Sequence, residues 1–94
     1  MTLETTATSS ERHFITYSGV SLPLRLVNEI PPGELDNRNT YFRGQFDAMD
    51  RLLVLEKFVY GEVELVHRYR YDGNGRLTQA EITDADGEVT RLDL

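Results

Sequence analysis

The sequence predicts an all-β fold: an antiparallel meander of about five strands over residues 41–93, with an N-terminal hairpin over residues 13–28 covering or extending it. Three observations carry this expectation. Apolar and polar residues alternate with the period of two that a half-buried strand demands, as in Val63, Leu65, His67, Tyr69 and Tyr71 against Glu62, Glu64, Val66, Arg68 and Arg70. Turn-forming clusters punctuate these runs, above all Asp72-Gly73-Asn74-Gly75 and Asp84-Ala85-Asp86-Gly87. In each the Asp side chain can accept from nearby backbone N–H groups, and the closing Gly supplies a positive φ. The intervals are even: 11 positions from Asp50 to Gly61, 14 from Gly61 to Gly75 and 12 from Gly75 to Gly87.

Each element has a local reason. Met1 to Arg12, rich in Thr and Ser, lacks the apolar content that would offset the entropy of ordering it. It is expected as a flexible polar tail, leaving 13–94 as a single β domain. Phe14-Ile15-Thr16-Tyr17 is a β-rich run ended by Ser18-Gly19, and Val20 to Val27 alternates around Pro23. Pro23 cannot donate to a ladder, so the second strand of this hairpin should be an edge or carry a bulge. Ile30-Pro31-Pro32-Gly33 breaks the chain, and Glu34 to Asn39 is a polar connection. Strands follow at about 41–46, 51–60, 62–71, 76–83 and 88–93, separated by Asp47-Ala48-Met49-Asp50, by Gly61 and by the two Asp-x-x-Gly turns. Asp50 stands where a closing Gly is expected, and Asp is among the few other residues that visit the left-handed region.

The run before Gly61 differs from the alternating one after it. Strict alternation puts Leu52, Val54 and Phe58 on one face and Leu53, Leu55 and Val59 on the other, so both faces are apolar. Such a strand needs a second layer or a partner chain, and the N-terminal hairpin is the nearest candidate for the cover.

Composition narrows the function classes. A chain of 94 residues supports one domain with little more than a minimal core, which disfavours a large enzyme pocket. Without cysteine there are no disulfides, thiolate nucleophiles or Cys-based metal sites. Sixteen acidic against ten basic side chains give a net charge of −6, and the mean field repels nucleic acid and anionic membranes. The chain shows neither a basic start followed by an apolar run nor any long apolar stretch, so a cytoplasmic location is expected.

Two resemblances follow from quoted residues. Tyr69-Arg70-Tyr71-Asp72-Gly73-Asn74-Gly75-Arg76-Leu77-Thr78, with Thr83 to Arg91 after it, resembles the tandem Tyr-Asp (YD) repeats of Rhs-type bacterial proteins. The full signature occurs once, which implies hairpin geometry and not a closed shell. Residues 14–76 resemble a family of short uncharacterised bacterial proteins, a domain of unknown function. The likeness lies in Ile15 to Leu24, Glu34 to Arg43 and Val59 to Leu65. It implies a bacterial source and a shared fold, and it brings no catalytic residues.

Candidate sites are few. Asn37, Arg38, Asn39 and Arg43 form the densest cluster of hydrogen-bonding side chains, on a loop entering the meander, where ligand sites often lie. Against that, Asn is a turn former and Arg38 an ordinary surface charge. His67, with Tyr69, Tyr71 and Arg43, has the chemistry of a proton-handling pocket; equally, a lone His on an apolar face is a hydrogen-bonded core residue. The aspartates of the Asp-x-x-Gly turns offer oxygens like the front of a calcium loop, but lack the distal Glu, and turn formation already explains them. No metal site, cofactor or catalytic residue is expected.

The leading expectation is a non-catalytic interaction or assembly module of a bacterial complex. An open meander edge, or an uncovered apolar face around Leu53, Leu55 and Val59, would meet a protein partner or a second copy. The competing expectation is a small ligand-binding domain or minimal enzyme using Asn37, Arg38, Asn39, Arg43, His67 and Tyr69. The two differ in surface shape: a pocket gathering those six side chains on one side, an exposed apolar strip with them dispersed on the other.

Overall fold

A computed structural model describes residues 9–94 apart from Val20 and shows one seven-stranded antiparallel sheet. The strands are β1 (Ser9–Ser18), β2 (Arg25–Ile30), β3 (Thr40–Asp47), β4 (Leu52–Val59), β5 (Glu62–Tyr71), β6 (Leu77–Thr83) and β7 (Val89–Asp93). A short 3-10 helix, Pro32–Asn37, joins β2 to β3. The spatial order is β2-β1-β3-β4-β5-β6-β7, so β2 and β7 are the edges. Pro23 lies in the connection before the edge strand β2, where its missing N–H costs no ladder bond. No helix among the described residues is long and apolar enough to cross a membrane.

β1 starts earlier than the composition suggests. Residues 9–12, expected as tail, pair with β3 in the register Ser9↔Asp47 to Arg12↔Gly44. The ladder supplies backbone partners that their side chains do not advertise. Positions 1–8 of the expected tail lie outside the described residues.

Three of the turns share one construction. Asp47 Oδ1 accepts from the backbone N–H of Met49 and Arg51, each at 2.9 Å. Asp72 Oδ1 does the same for Asn74 and Arg76, and Asp84 Oδ1 for Asp86 and Glu88. The residue closing each turn is left-handed: Asp50 at φ 64°, Gly75 at 83° and Gly87 at 84°. This is the three-residue hairpin loop built on a type I turn. β4 and β5 are instead joined by the two-residue turn Tyr60-Gly61, both at positive φ.

Directly paired residues share a face. The pairs Gly44↔Leu55, Leu55↔His67 and Tyr69↔Ala80 define the core face, and Arg43↔Glu56, Glu56↔Val66 and Arg68↔Glu81 the other. Phe14, Phe42, Phe46, Leu52, Leu55 and Tyr69 form the centre of the core. Leu22, Leu24 and Leu26, on the path into β2, pack over it, so the N-terminal hairpin both extends the sheet and covers it. Gly44 permits this cover: a Cβ there would stand 2.6 Å from Leu26 Cδ1 and 2.9 Å from Phe46 Cε1.

The expected faces of β4 are corrected by a bulge. Pairing passes from Gln45↔Val54 to Phe46↔Leu52, which makes Leu53 an extra residue and brings Leu52 and Leu55 to the same face. Leu55, expected at an open interface, is 0% exposed and is a large, fully buried side chain of the core. Leu53 and Val59 are half-buried, so the three do not form an open apolar strip. Period-two counting failed here because one inserted residue reverses every face beyond it. The same happens at Glu64, which leaves Val63 opposite Phe58 and away from the Leu65 face, and at Thr78 between Gln79 and Leu77.

The outer face of β3 and β4 carries its own small stack. Tyr41 lies flat on Phe58, with ring centres 5.1 Å apart, and His13 meets Tyr41 edge-on. This accounts for an apolar residue such as Phe58 on the far side of β4.

Candidate functional site

The six residues expected to form a ligand site fall in three separate places along the chain's fold. His67 and Tyr69 are together on the core face of β5, both buried. The Tyr69 hydroxyl lies 2.6 Å from His67 Nδ1 and accepts from the Leu24 backbone N–H at 3.2 Å. The hydroxyl therefore links the Leu24 N–H to the imidazole, with the donor of the His67–Tyr69 bond set by the tautomer of the ring. Burial pushes the His67 pKa down and the Tyr69 pKa up, so both groups are neutral near pH 7. The pair fastens the connection over the core to β5.

Arg43 points to the opposite face. Its Nε and Nη2 both contact Glu56 Oε1 at 2.8 Å, Glu11 is 3.8 Å away, and the guanidinium lies 4.7 Å from the centre of the Phe58 ring. It is a cross-strand tie between β1, β3 and β4. Asn37 ends the 3-10 helix, its side chain outside the described set; Arg38 caps that helix through its backbone N–H to Leu35. The Asn39 carbonyl accepts from the Tyr60 N–H at 2.6 Å, so its backbone helps fix the β4–β5 turn. Arg38 and Asn39 are exposed.

A different constellation is assembled where the path into β2 passes the β3–β4 turn. Here a cleft of about 420 Å³ has apolar walls from Phe14, Phe46 and Leu52 on one side and Leu24 and Leu26 on the other. Three arginines line it, Arg12, Arg25 and Arg51. Arg12 lies 4.1 Å from the centre of the Phe46 ring, and its Nη2 donates to Asp50 Oδ1 at 2.8 Å. Arg51 lies 5.3 Å from the centre of the Tyr71 ring, and its Nε donates to Asp47 Oδ2 at 2.8 Å. The Arg51 backbone N–H, then Arg51 side-chain contacts and the Met49 N–H, hold the Asp47 carboxyl below its ordinary pKa. Tyr71 donates to the Leu52 carbonyl at 2.7 Å; burial first, then the neighbouring Tyr69 and Asp47, pushes its pKa up to about 12.

Sequence reasoning missed this cleft because its arginines stand 13 and 26 positions apart on three elements, one of them in the expected tail. No motif links them. Among the described residues no group of three His, Cys, Asp or Glu side chains is placed to hold a metal. Asp72 and Asp84 each spend Oδ1 on two backbone N–H groups. Arg68, Arg70 and Arg91 line a smaller polar groove with Glu81 and Gln79, where the Arg91–Glu81 pair at 3.0 Å mixes the signs.

Fold and surface together define, among the described residues, a single-sheet antiparallel β domain with β2 and β7 at its edges and a covered core face. The chain belongs to the Family of unknown function (DUF6156), whose sequence profile matches residues 6–94. No curated protein and no solved structure matches it.

Proposed function

We propose that this chain is a non-catalytic association module that meets a protein partner through the open edge of β7, the partner being a second copy. The observation that carries the reading is that among the described residues β7 pairs only with β6 and that all five of its residues are exposed, with Val89 at 54% and Leu92 at 36%. The hydrogen bonds Asp84 N to Glu88 O and Leu94 N to Thr78 O set the ladder phase. By alternation the N–H groups of Val89, Arg91 and Asp93 face outward, a row of donors free to receive a strand.

Charge selects the register. Antiparallel self-pairing about Arg91 would set two guanidinium groups face to face. Pairing about Leu92 sets Leu92 against its copy and Arg91 against Asp93 of the other chain, twice by symmetry. The resulting sheet would run on through both copies. We also read β5–β7 as akin to the hairpins of Rhs-type bacterial YD repeats, supported by the repeated turn at Asp72 and Asp84. A bacterial, cytoplasmic setting goes with that reading.

Sedimentation equilibrium tests it by charge reversal. The expected outcome is a dimer for the unaltered chain, a monomer for Arg91→Asp and for Asp93→Arg, and a restored dimer for the double variant. A monomer across the whole concentration range, or a dimer indifferent to both single changes, would sink the self-pairing.

A further inference from the structure

We propose that the cleft between the path into β2 and the β3–β4 turn is a binding site for a small amphiphile with an anionic head and an apolar body. The first argument is electrostatic. The chain carries a net charge of −6, yet this cleft is lined by three arginines and a single carboxylate, Asp50. With Asp47 on Arg51 and Glu29 3.8 Å from Arg12, three carboxylates stand against the three arginines, so the neighbourhood is neutral where the chain as a whole is acidic.

The second argument is a surplus of donors. A guanidinium carries about five N–H groups. Arg12 spends one on Asp50, its Nη1 is 3.8 Å from Glu29 and so outside hydrogen-bond reach, and its Nε is buried without a partner among the described residues. Arg51 spends Nε on Asp47. Arg25 is exposed and forms no ion pair among the described residues. The Phe46 and Tyr71 rings pack against the guanidinium groups of Arg12 and Arg51, which lowers the entropy lost when an oxyanion meets them.

The third argument comes from the walls. A bare oxyanion would leave the Phe14, Phe46 and Leu26 surfaces wet, and a neutral apolar molecule would leave the arginine donors without an acceptor. An anionic amphiphile satisfies both sets at once. The cleft volume of about 420 Å³ falls within the range of small-molecule sites. Its Leu24 and Leu26 wall is held in place by the Tyr69 hydroxyl through the Leu24 N–H, so the site is built before the ligand arrives. This site is remote in the strand order from the β7 edge and independent of it.

The test is a titration of the full chain with decanoate, decyl phosphate, 1-decanol and acetate, below micelle concentrations, followed by ¹H–¹⁵N shifts and calorimetry. At least one of the two decyl anions is expected to bind saturably and to shift the amides of Leu24, Leu26, Arg51 and Leu52; the tighter one names the head group. Loss of one charge-assisted contact is worth about tenfold, so 1-decanol, acetate and the Arg25→Gln variant should each bind at least that much more weakly. Arg25 is exposed, and its variant should keep the unfolding midpoint of the parent. The proposal is overturned if neither decyl anion binds, if 1-decanol binds as tightly as they do, if Arg25→Gln leaves the affinity unchanged, or if the shifts centre on β7.

Discussion

The β3–β4 turn within strands β1 to β5 and the β6–β7 turn of the terminal hairpin share one construction, yet the two regions end in different environments. In the first region the path into β2 closes over the sheet, and Leu55 and Tyr69 are 0% and 3% exposed. In the second Ala80 is buried in the core cluster and Leu77 packs against it partly buried, while every residue of β7 remains exposed. Hydrogen bonding makes both regions sheet. Cover makes only one of them a core, since apolar area removed from water scales with what lies on top of it. The difference assigns stability to one end of the molecule and an unspent edge to the other.

The comparison is tested hardest at Leu55. Leu55→Ala should cost about 2–5 kcal/mol in urea unfolding, the range for a fully enclosed leucine. Leu92→Ala should stay within about 0.5 kcal/mol at concentrations where the chain is monomeric. Equal losses would erase the distinction between the regions. Gly44→Val comes next: the new side chain meets Leu26 and Phe46, and a loss of about 1–3 kcal/mol is expected from overpacking. Tyr69→Phe removes the partner of the Leu24 N–H and of His67 Nδ1, for about 1–3 kcal/mol, with faster hydrogen exchange along residues 22–26 as the specific sign. Tolerance of that change would mean that the cover is held by packing alone.

The smallest effects are in pH. Burial holds the His67 pKa below its ordinary 6.5, so between the two values the unfolded chain binds a proton that the folded chain refuses. The contribution is complete above pH 6.5 and declines as pH falls beneath it; His67→Gln should flatten the slope in a pH series of urea midpoints. Tyr71 works at the other end. Its pKa is raised from 10.0 to about 12, so its contribution is complete below pH 10 and is lost as pH climbs through that interval. Tyr71→Phe should remove that alkaline decline.

Most of the meander was legible because its signals are local. Asp72, Gly75, Asp84 and Gly87 act within five residues of chain, and no distant contact is needed to make them turn. The bulges were not legible. Leu53 is spelled like its neighbours, and only the register of β3 against β4 makes it the extra residue that returns Leu55 to the core. Among candidate sites, His67 and Tyr69 were legible as a pair because i and i+2 share a face of a strand. Arg43 was not separable from them in the sequence, and it lies on the far side of the sheet.

The amino-acid sequence alone determined an all-β chain, the places where it turns and the acidity of its surface, since each depends on side chains and their immediate backbone. The tertiary structure alone decided what covers the core, which edges stay open, and that Arg12, Arg25 and Arg51 meet at one cleft. Those are relations between residues far apart in the chain, fixed by strand order and register, and no short window of sequence contains them.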